Sequence, residues 1–393
     1  MSATSCVATH AGPQHLHRGI VNGRVMQTQR RALYLDIKLP RPDHDAASVR
    51  AVQLIEYLAS HRAVDLAVLT DFGLAPDSPA NVRRLGARLV CPPGETAIRA
   101  HLDAAGPEYD LIVLAWSRTA VAFMSDIRRA APQAACVFDT VDVNHVREFR
   151  HARVAGNARR LHIALSLRET ERAAVTAADV TLAVTEADLL TLRKLVPTAR
   201  VALAGMWQAA IDAPTLRDGH EVLFVGHYQA APNHDAATHL AREVMPLLRA
   251  RCPGCRLVLA GSDPGEDIRA LAAPDVEVPG WVPDLSPRLA KAAVFAAAIR
   301  FGSGIKGKLL QAIAHGVPLV ASEIAVEGIG LVAERDYLPA DTPRAFADAL
   351  ARVLTDPALG ARLAAAARDV LGKRFSKAAV WRQFDAAFAP LLR

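Results

Sequence analysis

The chain has 393 residues, of which 51% are hydrophobic and 22% charged, with a net charge of +6. That length exceeds one ordinary domain and suits two of roughly 150–200 residues, and the composition excludes a disordered chain. So small a charge excess, with no DNA- or RNA-binding signature beside it, excludes nucleic acid as the partner; a basic surface would instead meet phosphate-bearing ligands or an anionic membrane face.

Residues 1–30 are polar and irregular, without the apolar stretch of a secretory signal, and are expected to be a disordered tail. No run approaches the roughly 18–20 apolar residues of a membrane-spanning helix. The expectation is therefore a cytoplasmic protein, with membrane contact limited to a peripheral one at the inner face. After Arg31 short apolar, β-branched runs alternate with helical periods. Runs at 32–37, 65–70, 111–115, 136–138 and 180–184 predict the strands of a first domain, 31–210. A second series at 222–225, 256–260, 276–278, 294–298 and 317–321 predicts a second domain, 211–375. Helical periods fall at 46–60, 235–251 and 307–315, and the segment 212–219, polar with Pro and Gly, marks the boundary. Alternating strands and helices predict an α/β protein with two doubly wound parallel sheets, each covered on both faces. In such sheets ligands sit beyond the carboxyl ends of the strands.

Five cysteines, an odd and low number for this length, fit a reducing compartment without a disulfide framework. Cys252-Pro-Gly-Cys255 closes a predicted helix before a strand, so it reads as a turn rather than a zinc or redox pair. Between Asn144 and Arg172 the chain carries Arg147, Arg150, Arg153, Arg159, Arg160, Arg168 and Arg172 against three glutamates. A solvated helical face accounts for this stretch; a surface touching anionic lipid or a phosphate-bearing acceptor is the functional alternative. Asp43-His-Asp45 has a D-x-D form, but Asp45 reads better as the N-cap of the helix that follows. The 14 histidines show no ligand spacing, so no metal is expected.

The most informative segment is Phe301-Gly-Ser-Gly-Ile-Lys-Gly-Lys-Leu-Leu-Gln311, which follows a strand and opens a helix capped near Gly316. A glycine-rich loop entering a helix lets backbone N–H groups approach an anion. Lys306 and Lys308 in the first turn oppose the helix dipole unless an anion binds between them. Gly302, Gly304 and Gly307 also spell G-x-G-x-x-G, with Glu323 following, as in a dinucleotide-dependent oxidoreductase. Such a fingerprint belongs on the first strand of its domain, and here a strand at 222–225 already opens it.

In order, Phe224–Ala236, Leu257–Ser262, Gly280–Leu285, Phe301–Gly316 and Ala325–Ile329 resemble the donor domain of family 4 glycosyltransferases, a retaining family of the two-domain GT-B fold. Leu39–Arg50 and Phe138–Glu148 resemble cleft loops of its acceptor domain, and the final segment, 376–393, a helix crossing back to that domain. The resemblance implies a nucleoside diphosphate sugar as co-substrate, no other cofactor, and a glycan or lipid-linked acceptor, as in cell-surface polysaccharide assembly. It places Gly226, His227, Ser303 and Gly304 at the donor diphosphate, with Lys306 and Lys308 neutralising the leaving group. Trp281 and Val282 would lie beside the base. Ser303 and Gln311 occupy the two acidic positions of the family's E-x7-E pattern, Gln311 at the ribose. Glu327 falls on the donor side, Asp142 in the cleft-facing loop, and Asp45, Ser48 and Arg50 on the acceptor side. The family's glycine near position 46 is Ala here. Loss of both acids keeps open a second reading, a non-catalytic nucleotide-sugar-binding or partner-binding protein.

Overall fold

The computed structural model describes residues 17–21, 24–28, 30–72, 75, 78–212 and 219–391. Strands β1 (His17–Val21) and β2 (Arg24–Thr28) pair antiparallel within the stretch expected to be a disordered tail. The signal was legible: Asn22-Gly23 lies between them, the strongest short hairpin dipeptide. The remainder of 1–30, apart from Arg30, lies outside the described residues, as do 213–218 of the boundary segment.

Strands β3 (Arg31–Asp36), β4 (Ala63–Val68), β5 (Ala87–Leu89), β6 (Leu111–Ala115), β7 (Ala135–Asp139), β8 (Val180–Ala183) and β9 (Val201–Leu203) form one sheet, parallel throughout, in the order β5-β4-β3-β6-β7-β8-β9. Alternate side chains explain why its strands are apolar without interruption. Ala32 and Tyr34 of β3 point into one core, Leu33 and Leu35 into another on the opposite face. The second sheet joins β10 (Glu221–Val225), β11 (Arg256–Ala260), β12 (Val276–Gly280), β13 (Val294–Ala297), β14 (Leu319–Ala321) and β15 (Leu338–Pro339) in the order β12-β11-β10-β13-β14-β15. The two edge strands β5 and β9, three residues each, are too short for sequence periodicity to register.

The helix expected over 235–251 is broken. Helix Ala231–His239 passes through a π-turn, Leu240–Val244, into Met245–Arg249. Pro246 lacks the N–H that a continuous helix needs, and a π-turn absorbs the mismatch. Helix Lys377–Phe388 leaves the second domain and packs on the first, where Val380, Phe384 and Phe388 join the core. The Tyr57 ring meets Trp381, Phe384 and Phe388, and its hydroxyl donates to Asp385 at 2.9 Å.

Helix Ala46–Ala59 begins as expected, with the Asp45 carboxylate accepting from the Ser48 N–H at 2.8 Å. Arg50, expected on the acceptor side, is instead almost fully buried. Its guanidinium grips Asp139 at the end of β7, with bonds of 2.6, 2.9 and 3.1 Å, and donates to the Ala204 and Gly205 carbonyls. Each guanidinium nitrogen is thus engaged within the protein, so Arg50 braces these segments. Ser48 is likewise buried, its hydroxyl without a hydrogen-bond partner among the described residues. Arg50→Ala would strand the Asp139 carboxylate in the core. The expected loss is about 3–5 kcal/mol of unfolding free energy, measured by chemical denaturation, with a smaller loss for the double change Arg50→Met, Asp139→Leu.

Candidate active site

Both sheets reverse their strand order once, between β3 and β6 in the first and between β10 and β13 in the second. Loops leaving neighbouring strands at such a point diverge and open a crevice. The two crevices face each other across a cavity of about 550 Å³. Asp45, Asp142, Gly226, His227, Ser303, Gly304, Lys306 and Lys308 line it, together with the buried Arg50. Ser48, Trp281, Val282, Gln311 and Glu327 do not.

The glycine-rich loop opens helix Gly307–Ala314, whose N-terminus no side chain caps. Lys306 stands at the N-cap, its ammonium donating to the Gly304 carbonyl at 2.9 Å. Burial pushes its pKa below the ordinary lysine value, although Glu327, Asp142 and Asp188 pull the other way. Burial likewise depresses Lys308, against the opposing pull of Asp45 and Asp43. Two desolvated cations at a positive helix end form a site whose electrostatics call for an anion. Gln311 places its amide oxygen 3.5 Å from the Lys308 ammonium.

Close packing sets the loop's position. Gly304 has φ 62°, and a Cβ there would meet the Asp142 carboxylate at 3.0 Å. A Cβ on Gly307 would lie 2.9 Å from the Ala46 methyl, so the N-termini of the two cleft helices touch. Across the cavity Gly226 follows β10. Its carbonyl oxygen sits where a Cβ of Gly261 would be, at 1.7 Å. His227 Nδ1 lies 2.9 Å from the Ser262 hydroxyl and 3.2 Å from Asp263. Trp281, outside the lining, stacks on His44 of the other domain, which lines the cavity, with ring centroids 6.0 Å apart.

The first domain contributes strained backbone at the same place. Trp116 and Val141, just past β6 and β7, have φ of 72° and 58°. A β-branched residue at positive φ is costly, so the surrounding contacts must hold it there. The Trp116 indole N–H donates to Asp36 at 3.1 Å, and burial pushes the Asp36 carboxyl up to about 7. Burial also disfavours the charged form of Asp45, but hydrogen bonds from Lys38 and the Ser48 N–H outweigh it and hold that carboxyl below the usual range.

Glu327 lies behind the loop, not in the cavity, in a two-pronged ion pair with Arg150. Burial resists its charge, yet Arg150 prevails and keeps the carboxyl below its ordinary value. The stretch 144–172 is accordingly more than a solvated face: Arg147, Glu148 and His151 of helix Asn144–Ala155 line the cavity. The available signal was their spacing, since residues three and four apart share one helix face. The G-x-G-x-x-G glycines follow β13, the fourth strand of their domain, rather than the first. Among the described residues no group of three or more His, Cys, Asp or Glu side chains is placed to hold a metal ion.

Residues 219–356 match the profile described as glycosyl transferases group 1. No curated protein matches the sequence at a significant level. Solved structures share the fold along nearly the whole chain. Sucrose-phosphate synthase from Thermosynechococcus elongatus is 18% identical, with a TM-score of 0.71 over 92% of this chain and 99% of that one. Anabaena Alr3699/HepE, solved with UDP and glucose, is 13% identical, with a TM-score of 0.70 over 92% and 100%. A glycosyltransferase from Rickettsia africae ESF-5 is 10% identical, with a TM-score of 0.65 over 93% and 99%. A GT-B fold whose second domain matches group 1 glycosyl transferases defines the class: the protein is a glycosyltransferase.

Gly261 has φ +143° as well as the Gly226 carbonyl against it. Gly261→Ala should therefore displace the Gly226-His227 loop and cost about 2–4 kcal/mol, read as a lower melting temperature. An unchanged melting temperature would contradict this packing.

Proposed function

We propose that the protein moves a sugar from a nucleoside diphosphate sugar to an acceptor hydroxyl with retention at the anomeric carbon. The bond from that carbon to the diphosphate oxygen breaks, and a bond to the acceptor oxygen forms. Charge develops on the departing nucleoside diphosphate, where Lys306, Lys308 and the uncapped helix end concentrate positive potential. That pair of desolvated lysines at the second switch point is the observation that carries the reading. No cofactor beyond the co-substrate is invoked. HepE has been solved with UDP and with UDP-glucose, which makes a uridine nucleotide the first donor to test. The acceptor we assign is a glycan or lipid-linked glycan of cell-surface polysaccharide assembly.

Calorimetric titration with UDP, GDP, ADP, TDP and CDP tests the donor; tight binding of UDP is the expected result. Replacing both Lys306 and Lys308 by Ala should lower turnover at least about 100-fold while leaving the melting temperature unchanged. Retained transfer in that variant would sink the assignment. A bound diphosphate favours charged lysines, whose pKa values in the free protein are depressed. Affinity should fall as pH rises through those depressed values, and the double variant should lose that alkaline limb.

Among the described residues no helix is long and apolar enough to cross a membrane. Helices Asn144–Ala155 and Ala158–Ala177 form a hairpin that exposes Phe149, Leu161 and Leu165 beside Arg153 and Arg159. Neither arginine has an ion-pair partner among the described residues. Apolar side chains interleaved with free cations support peripheral contact with anionic lipid, at the cytoplasmic face in this reading. Sedimentation with vesicles containing phosphatidylglycerol should capture the protein at low salt and release it partly at high salt, and Leu165→Ser should weaken capture. Equal sedimentation with phosphatidylcholine vesicles would refute the charge component.

A further inference from the structure

Helix Asn144–Ala155 belongs to the first domain, yet one face of it is occupied by the diphosphate loop of the second. Arg147, Arg150 and His151 stand at i, i+3 and i+4, so they project from one side. The His151 ring stacks on Phe301, with centroids 4.0 Å apart and planes 14° from parallel. Arg150 donates to the Gly302 carbonyl at 2.7 Å. Arg147 holds Asp142 at 2.5 Å, and Asp142 in turn accepts from the Ser303 hydroxyl. Phe301 and Gly302 are thus held directly by one face of a helix from the opposite domain, and Ser303 through Asp142, which that face anchors.

Arg150 does most of this. Besides Gly302 it reaches both oxygens of Glu327, each at 2.7 Å. A planar guanidinium bridging a carboxylate and a carbonyl fixes direction as well as distance. Glu327 also heads the carboxylates that act on Lys306. While Arg150 holds Glu327, that carboxylate is neutralised and the Lys306 charge stays available to the cavity. Without Arg150, Glu327 loses its ion-pair partner, and its charge acts on Lys306 uncompensated.

We propose that Arg150 is a positioning residue for the donor diphosphate, supplied by the acceptor domain. It sets the loop from Phe301 to Lys306 and keeps Glu327 from competing for Lys306. Donor affinity then depends on the two domains being docked. The proposal rests on the reading of that loop as the diphosphate site.

The test uses the full chain, with Arg150→Ala and the double variant Arg150→Ala, Glu327→Gln. Hydrogen exchange of the amides of 301–310 is measured without ligand, and affinity for inorganic pyrophosphate and for UDP by calorimetry. Arg150→Ala is expected to speed exchange in that segment and to weaken pyrophosphate binding about tenfold. The double variant, relieved of the competing carboxylate, is expected to regain affinity while its exchange stays fast. That split is one a merely structural arginine would not give. Unchanged exchange, unchanged affinity, or no recovery in the double variant overturns the proposal. Wild-type protein that binds pyrophosphate but no nucleoside diphosphate refutes the nucleotide-sugar reading alone, and the variants still decide on Arg150. Wild-type protein that binds neither overturns both.

Discussion

The buried contact between Arg50 and Asp139 is the constraint on which the site's geometry hangs. It joins the first cleft helix to the end of β7, and through the Ala204 and Gly205 carbonyls to the chain leaving the first domain. Asp139 does more than neutralise the arginine. Its Oδ1 also accepts from the Val141 N–H at 3.3 Å, at the residue forced to positive φ. That turn aims Asp142 at Ser303 and starts the helix whose face holds the loop. A buried pair of this kind contributes little net stability against an apolar alternative. What it supplies is direction: several backbone segments can meet its fixed fork in one arrangement only.

The same logic explains how a cation-rich loop is tolerated. Lysines at a helix N-terminus raise the energy of the empty protein, and burial raises it further. Asp142, Asp188 and Glu327 offset part of this cost from around Lys306. Two of these carboxylates are committed elsewhere, Asp142 to Arg147 and Glu327 to Arg150. Both lysines line the cavity, and their ammonium groups donate to neutral acceptors, Lys306 to the Gly304 carbonyl and Lys308 to the Gln311 amide oxygen. An arriving diphosphate would meet two cations that have no ion pair among the described residues.

Strand alternation, the two sheets and the glycine-lysine loop were legible because each is local. Asp45 as an N-cap, or the turn at Cys252–Cys255, needs only a few neighbouring residues. The hairpin of β1 and β2 is equally local, signalled by Asn22-Gly23 within a stretch otherwise polar and without apolar periodicity. Contacts between residues distant in the sequence were not legible. Arg50 and Asp139 are 89 positions apart, and Arg150 and Glu327 are 177 apart. Nothing in the neighbourhood of Arg50 distinguishes a brace from a ligand-binding cation. Arg150 sits among other arginines on an amphipathic stretch, and only the docked second domain singles it out.

Ala46 shows how such long-range contacts constrain a single position. Its methyl fits between the two cleft helices because Gly307 has no side chain to meet it. Both helix N-termini are thereby in contact, so their dipoles converge on one cavity. The contact also makes the pair interdependent: a side chain at 307 would wedge the domains apart, pulling Arg150 from Glu327 and the loop from its helix. Docking, loop geometry and positive potential are thus a single property of the closed cleft, not three separate ones.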